Sequence, residues 1–249
     1  MPADLAVIVA ARNEADRLGA TLRALRAAFP GAELWVADDA SGDATAHIAL
    51  QEGARLVQSP RRLGKGGAAT LAARAVLRDG DPVVVLADGD LGESAGELRR
   101  LVAALGQTAP AAADAHAAGA DLVIAAFARR VGGGFGMAVG TARWAIERAT
   151  GRTMTAPLSG QRAMRPGVLA QVLPFAPGFG METGMTIDAI RAGLRVEEVE
   201  LDLEHRATGR TVQGFVHRAR QAVDIVRAYA RRRPRAPLRQ PRNHSRSPG

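Results

Sequence analysis

The sequence predicts a single α/β domain, a parallel sheet with helices on both faces. Three observations carry this. Short apolar runs without helical periodicity recur along the first part of the chain, as LAVIVAA, ELWVA, RLV and VVVLA. Segments of helical length and pattern separate them, which is the signature of right-handed crossover units. Polar residues follow the runs directly: Arg12-Asn13-Glu14, Asp38-Asp39, and Asp88 with Asp90. In open α/β sheets, ligands bind at the carboxyl ends of the strands.

The elements follow in order. Val7 to Ala11 lies in a continuous apolar run that suits a strand buried on both faces. In the next segment Leu18, Leu22, Leu25 and Phe29 recur every three or four residues, and Pro30-Gly31 stops the helix. ELWVA is the second strand; it ends in DDASGDAT, where Ser41-Gly42 turns and Asp43 can cap a helix through Leu50. Arg55 to Val57 gives a third strand, and the loop QSPRRLGKGG leads into an Ala/Leu helix to about Leu77. Asp81-Pro82 opens the fourth strand. The Ala-rich segment from Gln107 to Gly119 is expected to be a surface helix or loop. Beyond it come a strand, DLVIAAF; the Gly-rich VGGGFG, a lid or a connector; and a helix from Ala138 to Thr150. PLSGQRAMRP shows no clear period. FAPGFGMETGMTIDAIRAGL is a loop opening a helix, RVEEVELDL alternates as a half-exposed strand, and an amphipathic helix runs from Gln213 to about Ala230.

Composition narrows the chemistry. The 249 residues contain no cysteine, which excludes disulfides, thiolate nucleophiles and Cys-ligated metals. Any metal must be held by oxygen and imidazole. The formal charge is +8, but residues 226–249 carry eight Arg and no acid, so the rest of the chain is neutral. The expected division is a domain over 1–230, with halves 1–105 and 120–230, and a disordered Arg/Pro-rich tail over 231–249. Lys65 is the only lysine. No run is long and apolar enough to span a bilayer, and the N-terminus meets charge too early for a signal peptide, so a cytoplasmic protein is expected.

Three constellations carry chemistry. In LADGDLG, Asp88 and Asp90 leave a buried strand two residues apart; two hard oxygens suit Mg²⁺ or Mn²⁺ with phosphate in the remaining positions, or simply make an Asp-Gly turn. Asp38 and Asp39 at the second strand end can accept a uracil N–H or ribose hydroxyls, or cap a helix. Lys65, between glycines before a helix N-terminus, can meet a diphosphate with charge and free amides, although GKGGAAT lacks the spacer of a Walker loop.

VIVAARNE, VADDASGDAT, GKGGAA and LADGDLG, in this order, resemble the nucleotide-binding half of family 2 glycosyltransferases of the GT-A fold, which implies a Rossmann-like, mixed but mostly parallel sheet with helices on both faces. PLSGQRAM, GFGMETGMTID and ELDLEHRATGR resemble a narrower bacterial branch, one similar to glucosyl-3-phosphoglycerate synthases and lipid-phosphate glycosyltransferases. The resemblance spans residues 4 to about 225. It implies transfer of a sugar from a nucleotide-diphosphate sugar, a UDP-sugar above others, to a small phosphorylated or lipid-linked acceptor, with Mg²⁺ or Mn²⁺. Residues 1–105 become the nucleotide half and 120–230 the acceptor half. Ala11, Arg12, Glu14, Asp38, Asp39, Lys65, Asp88, Gly89, Arg206 and Arg210 would bind the nucleotide sugar. Asp88 and Asp90 would form the metal-binding pair, Asp90 the direct ligand, with His205 as a third ligand or a plain surface histidine. Ser159, Gly160, Gln161, Gly180 and Thr183 would line the acceptor site.

Glu182, an acid at a Gly-rich loop-to-helix junction, is a base for an acceptor hydroxyl, a hydrogen-bond acceptor for sugar hydroxyls, or a helix cap. Asp90 is the other catalytic candidate, through the metal. GMET stands where many family members carry an ED pair, and glucosyl-3-phosphoglycerate synthases retain the anomeric configuration whereas family 2 enzymes invert it, so acceptor and stereochemistry stay open. A nucleotidyltransferase is the alternative enzyme class, although AARNEADRL stands where such enzymes carry a Gly-rich loop. A nucleic-acid binder is suggested only by charge, and the tail has no aromatic beyond Tyr229 to stack on bases. The tail instead suits an anionic membrane surface, making the protein peripheral at the inner face.

Overall fold

A computed structural model of the chain describes residues 4–106, 119–127, 136–203 and 212–232. The elements are β1 (Leu5–Ala11), α1 (Leu18–Ala28), β2 (Glu33–Asp38), α2 (Thr45–Gln51), β3 (Arg55–Gln58), α3 (Lys65–Asp79) and β4 (Val83–Asp88). A 3₁₀ segment, Gly92–Leu98, leads into α4 (Arg99–Gly106). Then come β5 (Leu122–Phe127), α5 (Gly136–Thr150), β6 (Arg162–Met164), α6 (Val168–Val172), a short 3₁₀ turn at Gly178–Gly180, α7 (Met181–Arg191), β7 (Val196–Leu201) and α8 (Val212–Arg231).

The strands form one seven-stranded sheet in the order β3-β2-β1-β4-β6-β5-β7. All pairings are parallel except those of β6, which runs antiparallel to both β4 and β5. The expected single α/β domain is therefore the observed one. Alternate residues of each strand face opposite ways, so β1 sends Val7 and Val9 to one core and Ala6 and Ile8 to the other. The first core is closed by α1, α2, the 3₁₀ segment and α4 through Leu18, Leu22, Leu25, Ala49, Leu98 and Leu101. The second is closed by α3, α5, α6, α7 and α8. Burial on both faces explains why the strands read as unbroken apolar runs.

Two local expectations need correction. PLSGQRAMRP contains β6, a strand of three residues, too short to display any alternation. Asp43 does not cap α2 from the N-cap position, which Ala44 occupies. Asp43 instead accepts from the Thr45 amide at 3.0 Å, the Thr45 hydroxyl and the Ala15 amide at 3.2 Å, tying the β2 turn to the loop after β1. The Ala-rich segment, most of VGGGFG and the tail beyond Arg232 lie outside the described residues.

Candidate active site

The three central parallel strands end side by side. The register pairs Ala11 with Asp38 and Ala10 with Asp88, so the polar residues after β1, β2 and β4 emerge at one edge of the sheet. Strain marks the same edge. Among the described residues, Asn13 and Ala40 are the non-glycine residues with positive φ, 54° and 52°, one after β1 and one after β2. Asn tolerates that region, whereas Ala40 holds it at a cost of about 1–2 kcal/mol.

Asp38 is fully buried. Its Oδ1 accepts from the amide and hydroxyl of Ser41, and its Oδ2 from Gln58 Nε2 at 2.8 Å. Asp39 reaches across to the loop before α3, accepting the Leu63 amide at 2.6 Å and the Gly64 amide at 3.0 Å. Gly64 sits at φ +76° with Gly178 backbone 3.4 Å from where its Cβ would be, and Gly66 would drive a Cβ to 2.0 Å from the Ala176 carbonyl oxygen. The start of α3 is thereby packed against the segment leading to α7, and Asp39 fixes its approach.

That packing places Lys65, the first residue of α3, between two carboxylates. Its Nζ lies 2.6 Å from Asp88 Oδ1 and 2.9 Å from Glu182 Oε1. The three side chains are 28%, 19% and 8% exposed, so the cluster is shielded but open to a ligand. Burial works against the ammonium charge; Asp88 and Glu182 more than reverse this, and the Lys65 pKa is raised above its ordinary value. The lysine is thus a fixed cation at neutral pH.

Asp88 is held from the other side by Gln161 Nε2 at 2.8 Å, and Gln161 Oε1 accepts from the Ser159 hydroxyl at 3.2 Å. Gly160 closes the cluster: a Cβ there would fall 2.2 Å from Lys65 Nζ and 3.0 Å from Asp88 Oδ2. Ser159, Gly160 and Gln161 therefore join the Lys65 cluster. Gly180 and Thr183 are placed differently. Gly180 lets α8 approach, with Ala228 Cβ 2.7 Å from its absent Cβ. Thr183 is fully buried and its hydroxyl has no hydrogen-bond partner.

After β4, the Gly89 amide donates to the Ala10 carbonyl at 3.0 Å and its absent Cβ would approach Ala11 Cβ at 3.2 Å. Glu14, half-buried, has its amide fixed to the Thr45 hydroxyl at 2.9 Å, and Arg12 stands exposed. The turn carrying Asp88 and Asp90 is held by α1: Thr21 Oγ1 donates to the Gly89 carbonyl at 2.9 Å and accepts the Gly92 amide at 2.8 Å, while Arg17 Nη1 donates to the Asp90 carbonyl at 2.9 Å. Two carboxylates two residues apart in the chain, with no thiol, are a donor set suited to a hard divalent cation. Among the described residues no third His, Asp or Glu joins such a group, and His205, Arg206 and Arg210 lie outside them.

Several supporting residues escape sequence reasoning. Thr21 carries a signal, being polar within the buried stripe of α1. Arg162 carries none. It is fully buried beneath Ser159 and α7, donating from Nε to the Ser159 carbonyl at 3.0 Å and from Nη1 to Thr186 Oγ1 at 3.0 Å. Thr186 in turn donates to the Glu182 carbonyl at 2.9 Å, and Nη2 of Arg162 has no partner. Burial lowers the Arg162 pKa to about 10, an effect the carboxylates of Glu182 and Glu198 only partly oppose.

Comparison with known proteins agrees with this arrangement. The family model described as "Glycosyl transferase family 2" matches residues 6–152. An undecaprenyl-phosphate mannosyltransferase from Micrococcus luteus is 31% identical over 218 residues, covering 81% of this chain and 84% of the relative. Glucosyl-3-phosphoglycerate synthase from Mycobacterium tuberculosis, solved with Mn²⁺, UDP and glucosyl-3-phosphoglycerate, superposes with a TM-score of 0.71 at 26% identity, over 92% of this chain and 80% of that one. The same synthase with Mn²⁺, UDP-glucose and phosphoglyceric acid gives a TM-score of 0.69 at 27% identity over the same shares. No helix among the described residues is long and apolar enough to cross a membrane. A mostly parallel sheet with Asp38, Asp39, Lys65, Asp88 and Glu182 gathered at one end of its strands, matched by sequence and by fold to sugar-transferring enzymes, places this chain in glycosyltransferase family 2 as a hexosyltransferase.

Proposed function

We propose that the enzyme moves a sugar from a UDP-sugar to a lipid-linked phosphate, with Mg²⁺ or Mn²⁺ bound at Asp88 and Asp90. The observation that carries this reading is the Lys65 ammonium shared between Asp88, at the end of β4, and Glu182, at the start of α7. It joins the strand ends where a nucleotide binds to the segment on the acceptor side. The relative from Micrococcus luteus, with a lipid phosphate in its name, supports the acceptor; the mycobacterial synthases, solved with UDP and a divalent metal, support the donor and cofactor.

In this reading Asp38 and Asp39 organise the pocket for uracil and ribose, and Ala11, Arg12 and Glu14 border it. Asp88 and Asp90 would hold a divalent cation, which would supply charge to the leaving diphosphate. Lys65 adds a fixed positive charge beside the breaking bond, where preorganised electrostatics are strongest. Arg206 and Arg210, with His205 as a further ligand, belong to the same proposal. A phosphate acceptor is already ionised and needs no base, so Glu182, bound to the ammonium, has to orient Lys65 and accept sugar hydroxyls but not take a proton. The Arg-rich tail would keep the enzyme at the inner face of the membrane.

Thermal shift across UDP-, GDP- and TDP-sugars with Mn²⁺ tests the donor, since binding to the native state raises the melting midpoint. No shift with any UDP-sugar would sink the donor assignment. Glu182→Gln tests the acceptor: transfer to undecaprenyl phosphate is expected to fall by less than about tenfold, whereas loss of a required base costs roughly 10²–10⁴-fold.

A further inference from the structure

Among the described residues five large apolar side chains stand exposed, and four lie on α5 and α8: Met137, Trp144, Val223 and Val226, at 54%, 50%, 46% and 44%. Their placement is not scattered. Met137 and Trp144 are seven residues apart, two turns along one side of α5. Val223 and Val226 are three apart on α8, and Val226 is one turn from Tyr229, whose ring meets that of Trp144 with centroids 5.1 Å apart. The C-terminal ends of the two helices meet at Arg191, which donates from Nε to the Ala149 carbonyl at 3.3 Å and from Nη1 to the Arg232 carbonyl. The helices therefore run side by side in the same direction. Their exposed apolar groups follow the shared seam from the Trp144–Tyr229 contact back toward the end where α7 begins, since Asp224 Oδ2 accepts the Phe179 amide at 3.3 Å, close to Glu182.

We propose that this seam is a docking face for an anionic bilayer surface, set beside the acceptor end of the site. The charges around it fit such an occupant. Arg148, Arg227 and Arg231 stand exposed on the two helices. Of the acids nearby, Asp224 turns its Oδ2 inward to Phe179 and Gly178 while its Oδ1 lies 3.8 Å from Arg227 Nη1, and Glu147 stands exposed, so Arg148, Arg231 and the arginines that follow carry the excess charge. The sequence then adds Arg233, Arg235, Arg239, Arg242 and Arg246 with no acid before its end. An apolar stripe bordered by arginine, with a tryptophan on it, is what an interfacial helix presents to headgroups and the first methylenes. A second copy of the chain would cover the stripe too, but a two-fold contact would set these arginines against their own images. The charge favours lipid.

The inference deepens the lipid-acceptor reading, and it can be tested apart from it. Full-length protein is mixed, without nucleotide sugar, with phosphatidylcholine vesicles that contain or lack phosphatidylglycerol, and binding is read by flotation. Trp144 emission is read in parallel, because the other tryptophan, Trp35, is buried. The expected result is binding only with phosphatidylglycerol, weakened by salt, with a blue shift of the emission. The Val223→Glu, Val226→Glu double substitution is expected to weaken partition roughly tenfold while keeping the melting midpoint and UDP-sugar binding, since both positions face solvent. Three results would overturn the proposal: no partition onto phosphatidylglycerol vesicles, partition unchanged by the double substitution, or a dimer in light scattering that the same substitution dissolves. Intact vesicle binding with no transfer to any lipid phosphate would sink the acceptor reading alone.

Discussion

The strand ends of β1, β2 and β4 and the opposing strip from Ser159 to the start of α7 hold their candidate site side chains by different means. On the first side, carboxylates are fixed by backbone amides and short polar side chains: Asp38 by Ser41 and Gln58, Asp39 by the amides of Leu63 and Gly64. On the second, position comes from steric closeness and buried charge, with Gly160 against Lys65 and Arg162 beneath Ser159 and Thr186. Hydrogen-bonded turns tolerate small shifts one bond at a time. A site built on a missing Cβ and a buried cation does not, so the second side should respond more sharply to conservative changes.

The largest effect is expected at the bridge between the two sides. Lys65→Met removes the cation shared by Asp88 and Glu182 and leaves two carboxylates facing each other. Transfer should fall by about 10²–10³, in line with loss of one preorganised electrostatic group, and the melting midpoint should fall as well, because two shielded carboxylates lose their shared cation. Steady-state turnover with saturating donor checks it; a loss below tenfold would mean the two sides work without the bridge.

Gly160→Ala comes next. The added carbon would need the space of Lys65 Nζ, and the ammonium can retreat only by giving up its contact with Asp88. The expected loss is about tenfold to a hundredfold in turnover, with stability nearly kept because the displaced atom ends a flexible chain. If Gly160→Ala unfolds the protein instead, the strip is a packing element first.

Arg162→Met separates function from stability. The Arg162 proton is bound less readily in the folded chain, where burial lowers the pKa to about 10, than in the unfolded one. Its charge therefore costs stability at neutral pH, and the cost lessens only as pH rises past about 10. Replacing a buried charge by an apolar side chain of similar length is often neutral or stabilising. The melting midpoint of Arg162→Met should be unchanged or higher, while turnover falls about tenfold as Ser159 and the first turn of α7 lose their common anchor. A large drop in melting midpoint would show that Arg162 holds the fold and not the site.

How much of this was legible in the sequence follows the same division. Motifs after β1, β2 and β4 were readable because a parallel sheet puts ligand residues at strand ends and because those strands are long enough to announce themselves. The singular Lys65 was readable from composition. β6 was not, since three residues set no period, and Arg162 looked like any of the chain's many arginines. Gly180 was readable as part of a Gly-rich junction, yet the geometry gives it the approach of α8. A glycine motif shows that something comes close without saying what.

The smallest effect is expected on the strand-end side, at Thr21. Its hydroxyl donates to the Gly89 carbonyl and accepts the Gly92 amide, so it clamps both flanks of the turn bearing Asp90 from within the buried stripe of α1. Thr21→Val keeps the shape and removes both bonds, leaving two backbone groups unpaired in a buried place at a cost of about 1–3 kcal/mol. Because Arg17 still holds the Asp90 carbonyl and Gly89 still bonds Ala10, the turn should loosen without being lost. The metal concentration for half-maximal transfer is then expected to rise roughly threefold to tenfold, an increment of about one kcal/mol, with turnover at saturating Mn²⁺ almost unchanged. A fall in saturated turnover as large as that of Gly160→Ala would erase the distinction between the two sides, since it would mean that a hydrogen-bonded turn is as brittle as a site held by steric contact.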